Sequence, residues 1–253
     1  TTTLDACISV SLLPVIYQKM MNINPEFLFK FLYVLLFSIS PLIVYLISNK
    51  YVKKEYAFLA AFFFMSQSSF LLAEINPRTN IAILFFMLAI MIFFSKNLDM
   101  WRKKLIFIIF ITTCILSHYS TSYIFFIMLL ISSLIALIYK QRSSIRTTIS
   151  YNLIILFFSM MFVWYGQITG KAFNSGINFI ISTMENLLFR FFIEESRGTQ
   201  VQALAGQNIV NKGISAQIEF VFTWMLLAVI MFGVISVLID RDQVLLLKTD
   251  KFG

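Results

Sequence analysis

The amino-acid sequence predicts an all-α fold: a polytopic transmembrane helical bundle of about seven spans. Three observations predict it. Hydrophobic residues make up 59% of the chain and charged residues only 13%, where a soluble domain carries about a quarter charged residues. Mean hydropathy is +0.85. The apolar runs are continuous rather than alternating, which excludes the period-two pattern of a membrane β-barrel strand, and most approach the roughly 20 residues a bilayer-crossing helix needs.

The predicted spans are 28–48, 57–75, 78–95, 105–117, 121–139, 149–168 and 221–240. The first ends at "NKYVKKE". The second and third are separated by the turn "EINPRTN". The third stops before "KNLDMWRKK". The fourth is short, so it reaches partway or continues through "SHYSTS" into the fifth, which ends at "KQRSSIR". The sixth precedes a long polar stretch, and the seventh leads into the tail "RDQVLLLKTDKFG". The spans bound four regions: an external amphipathic segment, 1–27; a six-helix transmembrane core, 28–168; an external loop, 169–220, carrying an interfacial helix at 173–192; and a last helix with its tail, 221–253.

Charge gives an expected orientation. Loops and tail on one side of the spans hold thirteen cations, Lys50, Lys53, Lys54, Lys96, Arg102, Lys103, Lys104, Lys140, Arg142, Arg146, Arg241, Lys248 and Lys251, against five acids, Glu55, Asp99, Asp240, Asp242 and Asp250. The whole formal charge of +8 therefore falls on that side, and cytoplasmic loops carry the excess of Lys and Arg. The expected location is the plasma membrane, multi-pass, with basic loops cytoplasmic. Each basic run sits at a helix end, where topology explains it, so no nucleic-acid partner is expected.

The chemically rich side chains then face outward. "AEINPRTN" places Glu74 and Arg78 at an external helix hairpin, where Asn76 suits a helix N-cap and Pro77 the first helical position. Glu74 is read as closing the preceding helix, close to Arg78. The bland account is a snorkelling interfacial ion pair; the functional account is a recessed polar site, since ionisable groups in membrane helices face a cavity or a partner. "LSHYSTSYIFF" holds the only histidine, His118, beside Tyr119. A lone histidine at a helix junction is more often structural than a ligand. Cys7 and Cys114 lack metal-ligand spacing and read as small buried residues. Residues 173–192, "FNSGINFIISTMENLLFRFF", read as a helix lying in the interface plane, with Arg190 near its end and Arg197 beyond it. Residues 4–21 form a second amphipathic stretch, interrupted by Pro14. Walker, GxSxG, paired-His and Gly-rich phosphate motifs are missing from the sequence.

The runs "SVSLLPVIYQKM", "AFFFMSQSSFLLAEINPRTNIAILFFML" and "LSHYSTSYIFF", spread over residues 1–140, resemble an archaeal family of predicted membrane proteins related to the GT-C superfamily. GT-C proteins are integral-membrane glycosyltransferases that use polyprenyl-phosphate sugars. The resemblance implies sugar transfer from such a donor to a glycan, protein or lipid acceptor on the extracytoplasmic face. It implies Asp5 and Glu74 as catalytic carboxylates, with Arg78, His118, Tyr119, Arg190 and Arg197 binding the donor phosphate. The cofactor stays open, with a divalent metal, Mg or Mn, as the candidate. Here the second outer turn carries Glu74 with Arg78 rather than a paired-acid DxD. The chain opens "TTTLDACISV" without a Met, so an upstream segment, with the family's first membrane helix and its principal acid, is expected. Two other classes stand beside the enzyme: a non-catalytic membrane assembly subunit working through membrane-protein partners, and a transporter or flippase of lipid-linked sugars.

Overall fold

The computed structural model describes residues 6–95, 98–140, 151–170, 174, 177–178, 181–182 and 213–239. Regular structure among them is entirely helical. The chain divides into two compact units, Thr1–Ile177 and Asn178–Gly253.

The first unit begins with two short helices, α1 (Ile8–Ser11) and α2 (Leu13–Met21). The break expected at Pro14 is real. Proline lacks an amide proton, so it is accommodated in the first turn of the restarted helix, where that proton would have no partner. Asn22 ends α2 in the left-handed region, at φ 52°, a conformation asparagine tolerates better than most residues. Asn24 then caps the next helix, its Oδ1 accepting the Glu26 amide at 2.9 Å.

That helix, α3, spans Pro25–Ser48. Among the described residues it is the one helical run long and apolar enough to cross a membrane; Pro77–Phe93, Tyr119–Leu134 and Asn152–Ile168 are shorter apolar helices. It contains a π-helical turn, Leu28–Leu32, and is broken at Ser38–Ile39. Pro41 explains the break, because it cannot donate to the carbonyl four residues back; Ser38 Oγ donates to the Leu35 carbonyl at 2.6 Å.

The predicted span 57–75 is not one helix. It folds as α4 (Lys54–Met65) and a single turn, α5 (Ser68–Leu71). Its apolar composition conceals Ser66 and Gln67, and Ser66 Oγ competes for a backbone group by donating back to the Phe62 carbonyl at 2.9 Å. Glu74 accordingly lies in the turn after α5 rather than closing a helix. Next come α6 (Pro77–Phe93) and α7 (Met100–Ser117). With 18 residues, α7 is about 27 Å long, its first five residues, "MWRKK", preceding the apolar run 105–117. It stops at His118, and α8 (Tyr119–Lys140) starts at the next residue. Helix α9 (Tyr151–Met161) continues into a second π-helical segment, Phe162–Ile168.

The second unit contains α10 (Ile214–Ile239), 26 residues long. Of the predicted interfacial helix 173–192, Asn174, Ile177, Asn178, Ile181 and Ser182 are helical; the rest lies outside the described residues.

Packing on α4 inverts that of a helix in a soluble protein. On α4, Ala57 and Ala61 are 0% and 8% exposed, whereas Phe58, Phe62 and Phe63 are 60%, 51% and 56% exposed. On α6, Ala82 and Ala89 are fully buried against a core of Phe107, Ile111, Phe125 and Phe157. Small residues between helices with large apolar residues outward is the arrangement lipid selects, because burial of bulk no longer drives helix association. Exposed apolar residues recur along α3, α4, α7, α8 and α9, far beyond the isolated patches a soluble monomer tolerates.

The ends of these helices gather chemically different residues. At one end Lys103 Nζ donates to the Ser95 carbonyl at 2.9 Å and sits 5.9 Å from the Phe93 ring. Tyr51 meets Phe94 edge-on at 5.7 Å, and the Lys50 charge acts on Lys103. The turn between α5 and α6 is tied differently. Buried Asn80 donates through Nδ2 to the Ala73 carbonyl at 2.7 Å. Asn76 holds the N-cap position, but its side chain makes no capping bond. The Asn80→Ala variant strands that carbonyl, so it should cost about 1–3 kcal/mol, read as a lowered thermal midpoint in detergent; Asn76→Ala should be near neutral.

Candidate functional site

The other end is built around a one-residue corner. His118 is extended, at φ −157° and ψ 119°, and serves two helices at once. Its amide closes α7 by donating to the Cys114 carbonyl at 3.1 Å. Its side chain opens α8: Nδ1 lies 2.9 Å from Thr121 Oγ1 and accepts the Thr121 amide at 3.4 Å. Thr121 is the third residue of α8, whose amide an N-cap side chain satisfies. Ser122 Oγ donates to the His118 carbonyl at 3.0 Å, and Ser117 Oγ to the Thr113 carbonyl at 2.7 Å.

The N-terminal segment enters this corner rather than lying apart from the bundle. Ala6 and Cys7 are 1% and 0% exposed. Trp164 Nε1 donates to the Ala6 carbonyl at 3.0 Å, Tyr33 Oη donates to the Ser9 carbonyl, and Ser9 Oγ donates to the Ser117 carbonyl at 3.5 Å. Tyr165, fully buried, donates to the Ile115 carbonyl.

Arg78, half-buried in the first turn of α6, acts on two groups here. Burial pushes the Cys7 thiol up, and this outweighs the Arg78 guanidinium and the Tyr119 amide, both of which favour the thiolate. Cys7 is therefore an inert thiol rather than a nucleophile. Burial, seconded by the Arg78 charge, lowers His118 to about 4. The His118 and Tyr119 rings lie 5.2 Å apart.

Of the residues singled out in the sequence, Arg78, His118 and Tyr119 come together. Glu74 does not join them. It is exposed and makes no ion pair with Arg78. Its charge instead acts on Lys30, which pairs with Glu26 at 2.7 Å. The expected Glu74–Arg78 pair is thus replaced by two separate neighbourhoods, because the turn 72–75 is not helical and does not set the two side chains on one face. Asp5, Arg190 and Arg197 lie outside the described residues. Cys7, Tyr33, Asn80, Trp164 and Tyr165 were missed as parts of this end. The only signal for them was polar or aromatic donors at the ends of apolar runs.

No group of three or more His, Cys, Asp or Glu side chains that could hold a metal ion occurs among the described residues. The guanidinium beside His118 favours an anion rather than a second cation. Beside the corner, Thr112, Ile115, Leu116, Ser159, Met160, Val163 and Trp164 line an open, largely apolar groove of about 310 Å³.

Helices that bury alanine and expose phenylalanine, with polar donors concentrated at helix ends, define an all-α membrane protein. Residues 103–247 match the family described as predicted membrane proteins (DUF2206), more than half of the chain, and the chain belongs to that family. No curated protein and no solved structure matches it.

The His118 shift has a consequence for stability. Its ordinary value is 6.5 and its value in the fold about 4, so the unfolded chain takes up this proton first. The contribution is complete above about pH 6.5 and is lost as pH falls toward 4. The thermal midpoint in detergent should fall over that interval, and a His118→Asn variant should fall less steeply.

Proposed function

We propose that this chain is a multi-pass protein of the plasma membrane, with its basic loops cytoplasmic. At the end where Arg78, His118 and Tyr119 meet, it acts as a GT-C-type glycosyltransferase, moving a sugar from a polyprenyl-phosphate-linked donor to an acceptor on the extracytoplasmic face. One observation carries the reading. A half-buried Arg78 sits beside a neutral His118 and the start of α8, without a carboxylate ion-pair partner among the described residues. A guanidinium in such a setting matches the geometry of a phosphate group.

In this reading the acceptor oxygen attacks the anomeric carbon of the sugar. The bond from that carbon to the phosphate oxygen breaks, and polyprenyl phosphate leaves with the electron pair. Arg78 stabilises the negative charge growing on the phosphate. The acceptor's proton passes to a carboxylate. Glu74, exposed beyond the corner, is one candidate; Asp5, which immediately precedes the buried Ala6 in sequence, is the other. His118 does not serve as that base, since its Nδ1 lone pair is engaged by Thr121.

Membranes containing the protein, supplied with a polyprenyl-phosphate sugar, test the chemistry. Arg78→Ala should lower transfer by about 10²–10³-fold at normal protein level, and Glu74→Gln should reduce it if Glu74 takes the proton. Full activity in both variants sinks the reading and leaves the assembly-subunit class. Sidedness is tested separately: a cysteine at position 205 should be labelled from outside intact cells, and one at position 143 should not.

A further inference from the structure

We infer that His118 is a phosphate-positioning residue fixed in one tautomer, with Nδ1 spent on capping α8 and Nε2–H left to donate, beside Arg78, to an oxygen of a phosphate ester. This rests on reading the polar end as a phosphate site, and it assigns the histidine two separable tasks.

The tautomer follows from geometry. Thr121 Oγ1, 2.9 Å from Nδ1, fits either tautomer, since a hydroxyl both donates and accepts; the Thr121 amide can only donate, and it meets Nδ1 at 3.4 Å, where a proton on Nδ1 would face it. The four leading amides of α8 give its start a partial positive charge, which favours a lone pair there. The ring proton therefore sits on Nε2.

That second nitrogen is the unexplained group. His118 is only 9% exposed, yet Nε2 makes no hydrogen bond among the described residues. Buried ring nitrogens normally have partners. Ser40 Oγ is the only fully enclosed side-chain polar atom without a partner among the described residues, so the Nε2 edge retains access to the surface. Nε2–H is a donor and Arg78 is a cation; both seek negative oxygen. Phosphate oxygens supply several acceptors at once, and a bidentate guanidinium contact leaves one free for the histidine. The donor is set at neutral pH without any titration, because the ring remains uncharged there.

The chain holds a single histidine, which makes the test direct. This chain in detergent, labelled with ¹⁵N at histidine, should show the Nε2–H pattern. The Nε2 resonance should shift when undecaprenyl phosphate is added. Inorganic phosphate is the second probe: tight saturation by the lipid alone assigns a lipid-borne phosphate, and equal saturation by both assigns a small soluble one. Two variants divide the tasks. An asparagine places its polar atoms where Nδ1 lies, so His118→Asn should keep thermal stability but bind the phosphate probe about tenfold or more weakly. A glutamine reaches where Nε2 lies, so His118→Gln should lose stability and bind more nearly like the wild type.

An Nδ1–H tautomer, an unmoved Nε2 resonance, no saturable binding of either probe, or unchanged binding in His118→Asn each overturns the inference. Binding and tautomer are read without sugar transfer. Failed transfer with these signals intact therefore removes the glycosyltransferase reading alone, and transfer that survives with normal probe binding in His118→Asn removes the histidine's role alone.

Discussion

Every peptide group in an apolar environment must be hydrogen-bonded, and an unsatisfied one costs several kcal/mol in hydrocarbon. A continuous helix meets this requirement internally. This chain interrupts its helices repeatedly, and at the polar end each interruption is met by a specific side-chain donor: Asn80 for the Ala73 carbonyl, Trp164 for Ala6, Tyr33 for Ser9, Ser9 for Ser117 and Tyr165 for Ile115. The donors come from α1, α3, α6 and the end of α9. The irregular backbone at this end therefore holds those elements together, and the site exists because the interruptions had to be answered.

The same requirement governs the charges. Apart from Lys30, the described charged residues of the first unit lie at helix ends or in the turns between helices, where the cost of desolvation is smallest. Lys30 answers Glu26 one turn earlier, with both side chains exposed. Arg78 is the exception in kind, since it is half-buried and its electrostatic neighbours are a thiol and an imidazole rather than a carboxylate. Both neighbours respond as neutral species: the thiol keeps its proton, and the imidazole declines one. Among the described residues, the corner sets one positive charge beside a thiol and an imidazole, a combination that an anion completes.

Much of this was legible in the sequence. Continuous apolar runs gave the helical class and most helix positions, because hydropathy reports the solvent directly. Pro14, Asn76 and Pro77 marked breaks and starts that are present. What hydropathy averages away was not legible. The interruption at Ser66–Gln67 lies inside a run whose mean is apolar, so α4 and α5 read as one span and Glu74 was placed at a helix end it does not occupy. Cys7 is the small buried residue that its apolar surroundings indicate; its place beside Arg78 and Tyr119, 71 and 112 positions on, is what no local pattern encodes. His118 was found because it is unique in composition. The division of its two nitrogens depends on a 3.4 Å contact that no pattern encodes.

The two π-helical segments extend the argument from hydrogen bonds to register. Leu28–Leu32 precedes Tyr33, and Phe162–Ile168 contains Trp164 and Tyr165. A π turn widens the helix and rotates everything beyond it by the angle of one residue, so it re-aims side chains without ending the helix. In α3 the donor that follows the turn reaches the Ser9 carbonyl; in the second segment the donors inside it reach Ala6 and Ile115. The Thr169 amide and hydroxyl both close on the Trp164 carbonyl at 3.0 Å, the five-residue step that holds the wider turn. Two independent helices thus give up regular α geometry where they meet residues 6–9. The local cost of the wider turns is set against carbonyls that would otherwise be buried without partners, and that exchange fixes the entry of the N-terminal segment beside Arg78 and His118.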